Sequence, residues 1–188
     1  MKKFYFVLTG FILSINILNA QDFSFDFGAG AIYPVFSELP FDYKAKIGPQ
    51  AFVRAWYNIN DDLSIGIEAN YLKIDHNNES DAYLKSSYLG LPILIKRTFL
   101  SQIYVSAGIG YAGWVSFSDR PIKQIKGGIN IPADDSDITG FIYLPAILGY
   151  HITDGIFIEA RSLWGLSKMS KTYEYTVSPV GLGIGFRL

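Results

Sequence analysis

The chain contains no cysteine in 188 residues, which excludes a disulfide-stapled scaffold, a thiolate metal site, a cysteine nucleophile and a lipid-anchored N-terminal cysteine. Charge is scarce too: only 18% of residues are charged, and the formal net charge of -1 supplies no basic field for nucleic acid. Beyond Ala20 no apolar run approaches the roughly 20 residues of a membrane-spanning helix. What the chain has in quantity is 49% hydrophobic and 16% aromatic residues, with Gly 18, Tyr 13 and Phe 14. That balance favours β-structure and a single folded domain over disorder.

The N-terminus reads as an export signal. Lys2 and Lys3 precede the apolar stretch Phe4 to Leu18, and Leu18-Asn19-Ala20 forms a small-residue cleavage site before Gln21. Ser14 and Asn16 interrupt the apolar run, which argues against a retained spanning helix. Residues 1–20 are therefore expected to be a cleavable signal peptide lying outside the folded unit, with residues 21–188 as the exported, mildly acidic domain.

Period-two alternation recurs from there on, the mark of strands with two different faces. Phe23 to Tyr33 sets Phe23, Phe25, Phe27, Ala29, Ala31 and Tyr33 against Ser24, Asp26, Gly28 and Gly30. Further segments are predicted at about 50–59, 63–74, 88–96, 103–111, 138–150, 156–166 and 175–188. The sixth is apolar on both faces and carries Pro145, so its register is undetermined by pattern. Connections alternate: 60–62, 97–101 and 152–155 are short, whereas 34–48, 75–84, 118–137 and 167–174 are longer. Eight strands joined this way predict an all-β, closed, antiparallel eight-stranded transmembrane barrel with both ends of the mature chain on the short-turn side.

Alternation alone does not separate this from a soluble binding barrel. The polar face decides, because it carries glycines in place of the Lys, Glu and Thr that cover a water-exposed sheet, and a narrow interior needs small residues beside a few large ones. The apolar residues at odd positions of the first five strands and even positions of the last two are therefore predicted to face outward as a charge-free band. Tyr33, Tyr57, Tyr71, Tyr111, Trp114 and Trp164 would form its interfacial girdles.

Three segments carry a family resemblance. Tyr88-Leu89-Gly90-Leu91-Pro92-Ile93-Leu94-Ile95-Lys96 resembles the Tyr-Leu-x-Ile-Pro-Leu-Leu-x-Lys strand of the PorT-like outer-membrane β-barrels. Ile158 to Leu166 resembles that family's Glu-Ala-Arg strand, with Leu163 and Trp164 where Tyr is usual, and Val180 to Phe186 resembles its glycine-alternating final strand. The chain departs from the pattern again by ending in Leu188 rather than an aromatic residue. The resemblance implies an integral protein of a Gram-negative outer membrane, in contact with its lipid, without implying one activity. A monomeric barrel with a structural or surface-interaction role is the expectation, with an accessory to a secretion or transport complex, contacting other envelope proteins, as the alternative.

Candidate chemistry is sparse, and neither a metal nor a cofactor is expected. His76 reads as a solvated loop residue among Asn77, Asn78 and Glu79, and only it, with Asp75 and Ser80 or Ser86, offers a local trace of the Ser-His pairs used by outer-membrane lipid hydrolases. No third orienting group or oxyanion donor accompanies it, so no catalytic residue is assigned. His151 falls at the opposite, turn-side end, which precludes a shared metal site. Asp134-Asp135-Ser136-Asp137 lacks the glycine and terminal glutamate of a calcium loop.

The alternation sends seven ionisable residues inward: Asp26, Arg54, Glu68, Lys96, Glu159, Arg161 and Arg187. Unpaired charges in so narrow a space are costly, so one mutually neutralising network is predicted, closing the lower half of the lumen. Arg54 and Glu68 lie symmetrically about Asp61 in the short turn and should pair across a hairpin.

Overall fold

The computed structural model describes residues 23–37, 43–78, 83–115, 140–169 and 175–188. The expected signal peptide, Ser80 and the acidic run at 134–137 lie outside them. Among the described residues eleven strands form: β1 (Phe23–Tyr33), β2 (Phe36–Ser37), β3 (Tyr43–Lys46), β4 (Gly48–Asn58), β5 (Leu63–Asn78), β6 (Tyr83–Phe99), β7 (Ile103–Trp114), β8 (Phe141–Thr153), β9 (Ile156–Gly165), β10 (Thr176–Val177) and β11 (Val180–Arg187). Each long strand pairs antiparallel with its neighbours, and β1 pairs with both β4 and β11, so the sheet closes on itself. With β3 continuing the line of β4 along β5, the barrel has eight strands. Beside it stands a two-stranded ladder of β2 and β10.

Burial follows the alternation. Val53, Ile67, Ile93, Ile109, Ile158 and Ile184 are exposed, while Phe52, Arg54, Glu68, Leu94 and Phe157 between them are buried. Tyr33, Tyr57, Tyr111 and Trp164 face outward as the girdle reading requires. Trp114 does not: its even position turns it inward, against the cluster of Tyr88, Phe141 and Tyr143. In β8 the odd residues face inward, and Tyr104 on β7 pairs with Gly149.

One connection is shorter than the composition suggests. β5 runs to Asn78 and β6 begins at Tyr83, with Asp75 opposite Lys85 and Asn77 opposite Tyr83. A segment reaching beyond the apolar band can be polar on both faces and still form a ladder, which is why 75–84 reads as loop. At the other end the turns are tight; Asn60 accepts hydrogen bonds from the Asp62 and Leu63 amides through Oδ1, at 3.0 and 2.9 Å. Leu100 and Ser101 take positive φ of 52° and 62° in the turn between β6 and β7.

The glycine content of the inner face now has a cause. Phe52 stands opposite Gly28, Trp56 opposite Gly66, Tyr104 opposite Gly149, Tyr143 opposite Gly110 and Phe157 opposite Gly185. Each ring lies over the backbone of a neighbouring strand where a Cβ would stand; a side chain at Gly149 would run into the Tyr104 ring, and one at Gly66 into the Trp56 indole. Pairing small with large around the circumference is how an eight-stranded barrel fills its interior.

Candidate functional site

The charged interior sits at mid-height, between two buried apolar clusters. Toward the long-connection end lie Ile32, Leu72, Tyr88, Phe141, Tyr143 and their neighbours. Phe52, Trp56, Leu94, Tyr104, Ile147 and Phe157 form the second cluster. Register produces a row of alternating sign across four adjacent strands: Arg187 is opposite Asp26, Asp26 opposite Arg54 and Arg54 opposite Glu68.

The side chains resolve this row into separate groups. Arg54 donates through Nε to Glu68 and reaches across the lumen to Glu159 with a bidentate pair, Nη1 to Oε2 at 2.8 Å and Nη2 to Oε1 at 2.7 Å. Arg161 donates through Nη2 to both Glu68 oxygens at 2.5 Å. Its Nε lies 3.2 Å from Glu159 Oε1, an ion-pair distance without the alignment of a hydrogen bond. Two arginines and two glutamates thus form a closed quartet tying β4, β5 and β9 together, with side chains at most 1% exposed.

Neutral groups complete it. Asn70 Nδ2 donates to Glu68 Oε1 at 2.6 Å and to the Tyr143 hydroxyl at 3.0 Å, and the Tyr104 hydroxyl donates to Glu159 Oε2 at 3.0 Å. The Arg54 and Arg161 guanidinium carbons lie 4.0 and 4.8 Å from the Phe52 ring centroid, stacking both cations on one aromatic. Gly149 and Gly183 flank Glu159 in register, and the space beside Gly149 is taken by the Tyr104 ring whose hydroxyl meets that carboxylate.

The remaining three charges do not join the quartet, which corrects the single network expected. Asp26 accepts from Arg187 Nε at 2.9 Å and from Trp56 Nε1 at 2.7 Å. Lys96 is buried, paired in register with Ser64 and Ser106, and its ammonium lies 4.3 Å from the Trp56 ring centroid. Among the described residues no ion pair includes it.

The sequence-derived charge set omits Asn70 and Tyr104, although their inward positions follow from the same alternation, and Tyr143, whose strand has no such pattern. His76 lies in β5 rather than in a loop, its backbone opposite Ala45 and Leu84, and Ser86 is buried on β6. Among the described residues no group of acids and histidines is placed to hold a metal ion.

A closed eight-stranded antiparallel barrel with outward apolar and inward polar residues is the fold of the small outer-membrane β-barrels. Solved structures bear this out at low sequence identity. OprG from Pseudomonas aeruginosa superposes with a TM-score of 0.51 at 13% identity, over 88% of this chain and 95% of that one. The attachment invasion locus protein Ail of Yersinia pestis, in complex with the heparin analogue sucrose octasulfate, gives 0.50 at 14% identity over 89% and 99%. Neisserial surface protein A gives 0.50 at 16% identity over 86% and 96%. No protein-family model matches the sequence, and no curated protein matches it.

Proposed function

We propose that the chain is an integral outer-membrane protein of a Gram-negative bacterium, with a plugged interior, acting as a structural or surface-interaction barrel through its longer connections. The observation carrying this reading is the quartet of Arg54, Glu68, Glu159 and Arg161, which crosses the lumen with side chains at most 1% exposed. Aromatic residues packed on both sides of it support the same conclusion. The outward isoleucine, leucine and valine band supports residence in lipid. The three segments resembling PorT-like barrels support membership of that group, with the tight turns toward the periplasm.

Fractionation and planar-bilayer recording test the proposal together. The expected result is recovery with the outer membrane and no steady conductance from the purified barrel. A soluble periplasmic protein, or a reproducible open-channel current, overturns it.

A further inference from the structure

We propose that the turn-end mouth of the barrel is a binding site for a small anion of phosphate or carboxylate chemistry, held by Lys96, His151 and Arg187. A cavity of about 580 Å³ opens there, lined by these three residues in its depth and by the exposed Asp61, Asp62 and Asp154 toward its rim. Its volume is that of a small-molecule pocket, about 300–1,000 Å³.

Charge balance is the first ground. The interior holds four cations, Arg54, Lys96, Arg161 and Arg187, against three carboxylates, Asp26, Glu68 and Glu159. All three carboxylates are engaged by arginines, which leaves Lys96 as the interior cation with no carboxylate partner among the described residues. That ammonium has three N–H donors to place, and the Trp56 ring satisfies it from one side only. Lys96 is 3% exposed, so bulk water does not surround it.

His151 is the second, independent ground. It is 6% exposed, and neither Nδ1 nor Nε2 has a hydrogen-bond partner among the described residues. Its ring is nonetheless fixed, 5.1 Å from the Tyr104 centroid and 5.8 Å from that of Phe157. Buried polar groups are normally satisfied; His151 lines the cavity together with Lys96 and Arg187, but both of its nitrogens are themselves buried, so the ring has to turn for either to meet a ligand. Arg187 is 26% exposed and holds Asp26 through Nε at 2.9 Å and Nη2 at 3.4 Å, leaving Nη1 for a ligand. An anion seated among these groups accepts from Lys96 and Arg187, and from His151 once its ring has turned, and gives Lys96 the anionic partner it lacks.

The rim sets specificity. Three carboxylates around the entrance repel a polyanion and admit a compact ligand, more readily one that also carries a positive group. The quartet above makes the site blind-ended, so it binds without conducting. The anion can be a free solute or the phosphate of a lipid headgroup at that membrane face.

The test uses the mature chain refolded in micelles of uncharged detergent, titrated with inorganic phosphate at constant ionic strength and pH. His76 and His151 are its two histidines, so ring-carbon NMR signals separate once His151→Gln assigns them. A saturating shift of the His151 signal is expected, with affinity reduced about tenfold by Lys96→Met and kept within about threefold by Lys96→Arg. Heat-modifiable gel migration verifies that each variant is folded. Nanodiscs distinguish the sources: phosphatidylglycerol and phosphatidylcholine both carry a phosphodiester, so weaker inorganic-phosphate binding in either nanodisc than in the uncharged, phosphate-free micelle identifies a lipid phosphate, and equal affinity in all three identifies a free anion. A non-saturating shift that chloride reproduces, or unchanged affinity in folded Lys96→Met, overturns the proposal.

Discussion

Arg54 and Glu68 stand directly opposite one another across β4 and β5, and neither side chain has any exposed surface. The contact is one side of a four-member arrangement, because Glu68 also meets Arg161 and Arg54 also meets Glu159. Removing any one member strands a buried charge.

Replacing Glu68 with Ala is therefore expected to destabilise the barrel by about 3–5 kcal/mol, since Arg54 and Arg161 lose their shared carboxylate. The double variant Arg54→Met/Glu68→Leu should cost less than Glu68→Ala, because the Arg161 and Glu159 charges remain matched. Equilibrium urea unfolding in micelles measures both.

Tyr104→Phe removes a single hydroxyl donor to Glu159 Oε2. A loss of about 1.5–3 kcal/mol is expected, the range for a hydrogen bond to a charged group. The bidentate contact from Arg54 stays in place, so the lumen should remain closed in bilayer recordings.

Gly149→Leu should prevent the heat-modifiable folded form from accumulating, because the new side chain occupies the space of the Tyr104 ring. Combining it with Tyr104→Ala should restore folding in part. Gel mobility before and after boiling reads the outcome.

On the outer face, Ile93 lies in register with the exposed Ile67 and Ile109. Ile93→Lys is expected to cost about 2–4 kcal/mol in a bilayer, and Ile103→Lys at the turn end only about 0–1 kcal/mol. Equal costs at the two positions would contradict a lipid band centred on Ile93.

Legibility in the sequence followed the contrast between the two faces. Where glycine or charge alternates with apolar residues, as in β1, β4, β5 and β7, the inward set could be named from pattern, and the Arg54–Glu68 pairing followed from hairpin symmetry about Asp61. β8 gave no such contrast because its inward residues, Phe141 and Tyr143 among them, belong to an apolar layer of the lumen. Trp114 was misread because aromatic chemistry suits an interface and an apolar interior equally. The Arg54–Glu159 contact joins strands that never pair, so it depends on the lumen's width and stagger, which no local pattern encodes.

That same contact constrains how the chain reaches its final form. Arg54 and Glu159 are 105 positions apart, and Asp26 and Arg187, on the strands that seal the cylinder, are 161 apart. Such separations make loop closure slow and place it late. A sheet still open at the β1–β11 seam leaves Asp26 without Arg187, and one lacking β9 also leaves Arg54 and Glu68 short of partners, so each partial assembly carries uncompensated charge into a low-dielectric surrounding. Sealing of the cylinder and neutralisation of its contents become one event, and the chain gains little from stopping halfway.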